Sequence, residues 1–395
     1  MEKPDQTLKR HRLFFIVLGG FLIIVIIGVI LYPRARATWS APLGPGLELP
    51  TNTPLIPTQT ELLDVNPTSN PEIAFTATSN EPSVEKSTPT NIPTKTSVPT
   101  PTEAPLCGGP PLIYILGIGI DTKDLSYTYG LADVIRIARV DFVTPKVTVL
   151  SIPRDLWVEI PEIEDHGITH GKINQSFFYG GPGMNYYSGP GAGPGLVART
   201  INQNLDLRAD HYGALNMYVF EEIIDAVGGI DLYLPEDVDG TPLDKHTRDM
   251  GYFYAGNNHF NGEQAVKFSR IRKRYSDYKR ADNQNLVICA LREKLLSPDV
   301  LPRIPKIISS FHGSVLTDLS LEQLGQLACL LPKVESENLI FSSLPIDILE
   351  SGYIYSPQMK NKTYATTADM EVLRSYIDKF KSGEWPEKQE QTTCP

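Results

Sequence analysis

The sequence is poor in the features that build metal fingers and nucleic-acid surfaces. Its 395 residues hold only four cysteines, Cys107, Cys289, Cys329 and Cys394, and none stands in a C-x-x-C pair or at ligand spacing from a histidine. That argues against a zinc site. No stripe of Lys and Arg is long enough to follow a phosphate backbone, and the formal net charge is -10, which argues against a nucleic-acid partner. Residues 41–111 contain few large apolar side chains and are dominated by Pro, Thr, Ser and Asn. Such a segment cannot offset its ordering entropy by burial, and its prolines keep it extended, so it reads as a stalk.

One long apolar run is present, residues 13–32. About 20 helical residues at ~1.5 Å each span a bilayer core of ~30 Å. No clean small-x-small cleavage pattern follows it, which favours an uncleaved anchor over a signal peptide. Lys3, Lys9, Arg10 and Arg12 precede the run and Arg34 and Arg36 follow it, so the positive-inside bias places the N-terminus in the cytoplasm and the rest outside the cell. The expected layout is a cytoplasmic N-terminus (1–12), a transmembrane helix (13–32), a disordered stalk (33–106), an extracellular catalytic domain (107–383) and a C-terminal tail (384–395). In an oxidising exterior Cys107 with Cys394 and Cys289 with Cys329 are reasonable disulfide pairs, or the latter two are free cysteines buried in apolar helices.

Beyond the stalk, three strand-like runs, 112–120, 134–140 and 147–152, each bring a charge to one rim: Asp121 after the first, Asp133 before the second, Arg154 and Asp155 after the third. Two carboxylates and an arginine at strand ends point to a metal and an anion. A second charged group follows downstream, Arg270, Arg272, Arg274 and Arg280, a local cluster rather than a stripe. Guanidinium forks grouped this way suit a discrete anion. Arg280 and Gln284, four apart on a helix expected from 278 to 296, share a face, and Asp277 lies at that helix's N-terminal end, where a carboxylate complements the dipole. Strand runs alternate with helical runs at 196–204, 220–227, 262–272, 319–331 and 368–380, with strands expected at 212–216, 230–234 and 338–344. The fold expected is an α/β protein, an α-β-α sandwich around a mixed central sheet.

Seven segments in order carry a family resemblance: G-I-D ending at Asp121, A-D-V-I from Ala132, L-S-I-P-R-D ending at Asp155, G-K-I-N-Q-S-F from Gly171, D-A-V-G-G-I-D from Asp225, N-G-E-Q-A-V-K-F-S-R-I-R from Asn261, and D-Y-K-R-A-D-N-Q from Asp277. Together they resemble the LytR-CpsA-Psr (LCP) family of membrane-anchored phosphotransferases. The resemblance implies transfer of a glycopolymer from a polyprenyl pyrophosphate carrier to a cell-wall acceptor, usually a peptidoglycan hydroxyl, with formation of a phosphodiester. It assigns Asp121 and Asp133 to a Mg²⁺ ion and Arg154, Arg270, Arg272 and Arg280 to the pyrophosphate. Gln284 becomes a neighbouring polar contact, and Asp277 an acid that helps to deprotonate the acceptor or order the arginines. Arg154, Asp277 and Arg280 are then the catalytic set, and the lipid tail is expected in an apolar tunnel between sheet and helices.

The chain departs from the family pattern at three arginine positions, occupied here by Lys123, Leu131 and Asn283. Each lost charge-assisted hydrogen bond weakens anion contact by ~1.5 to 3 kcal/mol, although Lys123 keeps a charge within reach of a phosphate. Two readings therefore stay open. One is a Mg²⁺-dependent polyprenyl pyrophosphate glycopolymer phosphotransferase, the other a non-catalytic polyprenyl (pyro)phosphate-binding protein or wall-assembly scaffold.

Overall fold

The computed structural model describes residues 36–49, 104–272, 277–311, 313–388 and 391–394. The apolar run 13–32 and the stalk segment 50–103 lie outside the described residues, among which no helix is long and apolar enough to cross a membrane.

The strands are β1 (Leu112–Ile120), β2 (Ala132–Asp141), β3 (Lys146–Ser151), β4 (Trp157–Glu159), β5 (His170–Lys172), β6 (His211–Asn216), β7 (Ile230–Leu234), β8 (Val238–Asp239), β9 (Tyr252–Phe253), β10 (Gly256–Phe260), β11 (Leu316–Thr317), β12 (Leu339–Ser343), β13 (Leu349–Ser356), β14 (Asn361–Ala368) and β15 (Thr392–Thr393). Seven of them form one sheet in the order β11-β6-β1-β2-β3-β12-β15. β1 runs parallel to β6 and β3 parallel to β12, while β1/β2 and β2/β3 are antiparallel. The sheet is thus mixed, as expected. The principal helices are α1 (Gln175–Gly180), α2 (Ala192–Leu205), α3 (Met217–Ala226), α4 (Gly262–Ser269), α5 (Asp277–Leu296), α6 (Ile304–Ser310), α7 (Leu321–Leu330) and α8 (Met370–Ser382).

Strand alternation sends side chains to two faces. Leu116, Ile118 and Ile120 of β1, with Ile135 and Ile137 of β2, join Val197 and Ile201 of α2 and Leu373, Ile377 and Phe380 of α8 in one core. On the opposite face Ile113, Ile115, Val140 and Phe341 pack against Ile288 and Cys289 of α5 and Leu327 and Leu330 of α7. Helices therefore cover both faces. A third core, with Ile224, Ile230, Phe260, Phe268 and Val287, gathers α3, α4 and the β7/β10 pair around α5.

Sharp start signals fix two of these helices. Asn261 caps α4 with its side chain on the Gln264 amide while Gln264 returns the bond, a reciprocal box that Ser320 and Gln323 repeat at α7 and that satisfies otherwise orphaned N–H groups. α4 ends at Ser269 rather than at 272, which puts Arg270 and Arg272 beyond its C-terminus.

Two expectations are corrected. The disulfides are Cys107–Cys329 and Cys289–Cys394, so Cys289 and Cys329 are neither paired with each other nor free. Cys107 lies in a turn that packs on α7, which carries Cys329; β15 pairs with β12 next to Cys394 on the sheet face covered by α5, which carries Cys289. Within the segment read as stalk, Leu43 N–H donates to the Leu319 carbonyl at 3.3 Å, and Leu47 and Leu49 are buried in the α2 side core. These leucines supply the apolar contact that the rest of the stalk composition lacks.

Candidate functional site

The β1/β2/β3 ladder brings the three expected charges to one rim. Ile120 pairs with Ala132 after a register shift at Gly119, so Asp121 leaves β1 beside the start of β2. The Asp121 N–H donates to the Leu131 carbonyl at 3.1 Å, Asp121 Oδ1 accepts from the Leu131 N–H at 2.7 Å, and the same Leu131 carbonyl accepts from the Asp133 N–H at 2.9 Å. The backbone of Leu131 is therefore the hinge holding the two carboxylates together, whatever its side chain. Across the strands the Arg154 guanidinium closes on Asp133 through Nη1 and Oδ2. Arg154 Nε lies 3.4 Å from Asp155 Oδ2 but lacks hydrogen-bond geometry to it or to any other acceptor among the described residues, and Lys172 holds the other oxygen of Asp155 at 2.8 Å. Burial pushes the Asp133 carboxyl above the usual range, with the like charge of Asp121 acting the same way and Arg154 and Arg280 opposing it.

Beside this rim is a cavity of about 500 Å³ lined by Asp121, Asp133, Arg154, Arg270, Arg272, Arg280 and Gln284. Its interior is apolar, with Val134, Leu215, Phe220, Val266, Ile271 and Ile288 among its walls. Its floor is one end of a row of cross-strand partners. Gly213 pairs with Gly117 and Gly117 with Arg136, and the row continues through Ser151 to Ser343. A Cβ on Gly213 would meet nothing within 4 Å, and one on Gly117 only the Arg136 carbonyl at 3.8 Å. The glycines make the space, and α3, α4 and α5 roof it.

Arg136 is the residue that sequence reasoning missed. It is 7% exposed, lines the cavity, and donates to Asn285 Oδ1 at 2.6 Å, Gln284 Oε1 at 3.1 Å and the Ala281 carbonyl at 3.3 Å. Every one of these acceptors is neutral. Burial, reinforced by repulsion from Arg280, pushes its pKa down to about 10, which leaves it charged at neutral pH. Asp282 offsets part of this charge, and a buried cation whose hydrogen-bond acceptors are all neutral favours a further anion. The available signal was a charged residue inside the apolar run of β2, on the face shared by Val134 and Val140.

The remaining expected residues are placed unevenly. Lys123 is held by both oxygens of Glu221, at 2.7 and 2.9 Å, and lines neither this cavity nor the smaller one beside it. Asn283 is buried and donates to the Phe268 carbonyl at 3.4 Å, so it serves the junction of α4 and α5. Asp277 is the first residue of α5. Among the described residues no three His, Cys, Asp or Glu side chains gather for a metal. Asp121 and Asp133, with Asp239 also on the cavity wall, present carboxylate oxygens, the hard donors that suit Mg²⁺ when substrate phosphates complete its shell.

A polyisoprenyl-teichoic acid–peptidoglycan teichoic acid transferase, TagU of Enterococcus faecalis, is 28% identical over 219 residues, covering 54% of this chain and 64% of that protein. The protein of the same description named TagV, from Bacillus subtilis, is 28% identical over 215 residues, 53% of this chain and 50% of its own length. The chain thus spans between half and two thirds of these curated relatives. The crystal structure of B. subtilis TagV superposes with a TM-score of 0.51 at 25% identity, over 68% of this chain and 96% of that one. Residues 76–372 match the LytR_cpsA_psr family, and the chain belongs to that family.

Proposed function

We propose that this protein is a wall-glycopolymer phosphotransferase, anchored in the cell membrane by residues 13–32 with its folded domain outside, that moves a glycopolymer from a polyprenyl pyrophosphate to a peptidoglycan hydroxyl. The observation that carries the reading is the junction of an apolar cavity of about 500 Å³ with a mouth of carboxylates and arginines. A molecule with a long apolar tail and a doubly charged pyrophosphate head matches both halves. The names of the E. faecalis and B. subtilis relatives support the same donor and acceptor classes.

In the reaction an acceptor hydroxyl oxygen forms a new bond to the phosphorus nearest the sugar. The bond from that phosphorus to the bridging oxygen breaks, and the bridging oxygen departs with its electron pair as polyprenyl monophosphate. Arg154, Arg270, Arg272 and Arg280, with Arg136 beneath them, oppose the charge that grows on the phosphoryl and leaving oxygens, which is worth most in a site already fixed and partly dry. Gln284 orients Arg136. Asp277 is the carboxylate assigned to the acceptor's proton. Asp121 and Asp133 would hold Mg²⁺, which supplies charge neutralisation to the phosphate oxygens when bound. The carboxyl that burial and its neighbour have made reluctant to ionise is one that a cation stabilises.

The test is reconstitution of the full chain with a polyprenyl pyrophosphate-linked oligosaccharide, Mg²⁺ and peptidoglycan. Oligosaccharide phosphate covalently on the wall material supports the proposal, and donor returned intact sinks it. The alternative, a lipid-carrier-binding scaffold without turnover, is favoured by Lys123 being held by Glu221 and by Asn283 facing a backbone carbonyl. It predicts saturable donor binding with no monophosphate released.

A further inference from the structure

A second cavity, of about 190 Å³, shares Asp133, Arg136, Arg154, Arg280 and Gln284 with the first. It lies over the other end of the cross-strand row, where Ser151 and Ser343 replace the glycines. Its further walls carry the hydroxyls of Tyr278, Ser351 and Thr366. One charged wall therefore divides an apolar space from a mixed one, in which Ile135, Ile152, Leu344 and Leu349 stand beside these hydroxyl-bearing side chains.

Ser351 and Thr366 are cross-strand partners in the β13/β14 hairpin, with hydroxyl oxygens 3.1 Å apart. The hairpin is fastened to the arginine loop, since the Thr366 N–H donates to the Asp155 carbonyl at 2.9 Å and Thr366 bridges to Leu156. Cross-strand partners share a face, as do residues two apart along a strand. The face that lines the cleft with Ser351 and Thr366 therefore runs outward through Tyr353, opposite Tyr364, to Tyr355. These tyrosines are 71, 50 and 61% exposed, and the rings of Tyr353 and Tyr364 meet edge to face at 5.5 Å. Ile346, 65% exposed, stands at the mouth of the same cleft. Grouped exposed rings of this kind mark a contact surface.

We propose that the tyrosine face and this cleft form an acceptor site for a peptidoglycan glycan strand, whose sugars lie on Tyr353, Tyr364 and Tyr355 and whose reacting hydroxyl enters the cleft toward Asp133, Arg154 and Arg280. Pyranose rings present flat C–H faces that pack on aromatic rings, while a tyrosine hydroxyl stays in contact with water or sugar oxygens; the rigid ring gives contact area at small entropic cost. Continuity with the cleft favours a glycan over a lipid surface, because the ring row leads through Ser351 and Thr366 to the charges of Asp133, Asp155, Arg154 and Arg280, which a sugar's hydroxyls can bond and a lipid tail cannot. The role as acceptor site rests on the phosphotransferase reading, but the binding does not.

The experiment titrates the full chain with soluble, uncross-linked peptidoglycan glycan strands and, separately, with polyprenyl pyrophosphate. Replacing Tyr353, Tyr355 and Tyr364 together by Ala is expected to weaken glycan binding at least tenfold and leave donor binding unchanged, while the triple Phe replacement, which keeps the rings, retains glycan affinity. In a Y353W reporter, the glycan is expected to shift the emission. Absence of glycan binding in the parent chain, equal glycan affinity in the Ala variant, or quenching of the Y353W reporter by brominated phosphatidylglycerol vesicles but not by glycan would each overturn the proposal. Failure of transfer with intact glycan binding to the tyrosines would instead count against the phosphotransferase reading alone.

Discussion

Gly117 and Arg136 stand opposite each other across the β1/β2 ladder, and that pair is where the apolar half of the sheet face gives way to the charged half. On one side Gly213 keeps the floor open; on the other Ser151 and Ser343 make it polar. Arg136 sits at the divide and lines both cavities. It brings a guanidinium from the sheet to a wall whose helix has Asn283 turned away toward the Phe268 carbonyl.

Replacing Arg136 by Gln should remove one charge-assisted contact, worth ~1.5 to 3 kcal/mol, while leaving a donor for Asn285 or Gln284. Donor pyrophosphate binding is expected to weaken by about 10- to 150-fold in a titration. An unchanged affinity would mean that Arg136 only ties the sheet to α5.

Filling the floor tests the apolar half separately. A side chain on Gly213 would project into open space, so Gly213→Leu should fold with its thermal midpoint within a few degrees of the parent. It should nonetheless reduce affinity for a long-chain polyprenyl pyrophosphate while sparing inorganic pyrophosphate. Equal loss for both ligands would show that the cavity does not discriminate a tail.

Lys123 is 56% exposed at its side chain and is paired with Glu221. Exposed pairs contribute about 0 to 1 kcal/mol, so Lys123→Ala should change stability little and donor affinity less than about threefold. A larger loss of affinity would mean that Lys123 leaves Glu221 when a phosphate arrives.

The disulfide pattern is open to direct mapping. A non-reducing digest should link the Cys107 peptide to that of Cys329, and the Cys289 peptide to that of Cys394. A Cys107–Cys394 link would contradict the docking of the N-terminal turn on α7.

The rim was legible in the sequence because strand period and strand ends are local properties: Asp121, Asp133 and Arg154 each adjoin an apolar run whose alternation sets its own direction. The helix pair Arg280 and Gln284 was legible for the same reason, and both residues line both cavities. Arg136 was not, because a charge inside an apolar strand declares itself only when register shows what lies beside it. The glycine floor depended on the same register, which joins Gly213 to Gly117 over 96 residues of chain. The cysteine pairs depended on how a turn, two helices and a terminal strand dock, and no spacing encodes that. Lys123 kept its charge but met Glu221, a partner 98 residues away.

The central claim is that the wall formed by Asp133, Arg154 and Arg280 cleaves a polyprenyl pyrophosphate. Its most direct measurement is single-turnover release of polyprenyl monophosphate by the full chain with Mg²⁺, compared with Arg154→Ala at saturating donor. Losing one fixed charge aimed at the reacting phosphoryl group is expected to slow release by about 10²- to 10³-fold. Equal rates for the two proteins, or no monophosphate from the parent chain, would contradict the account.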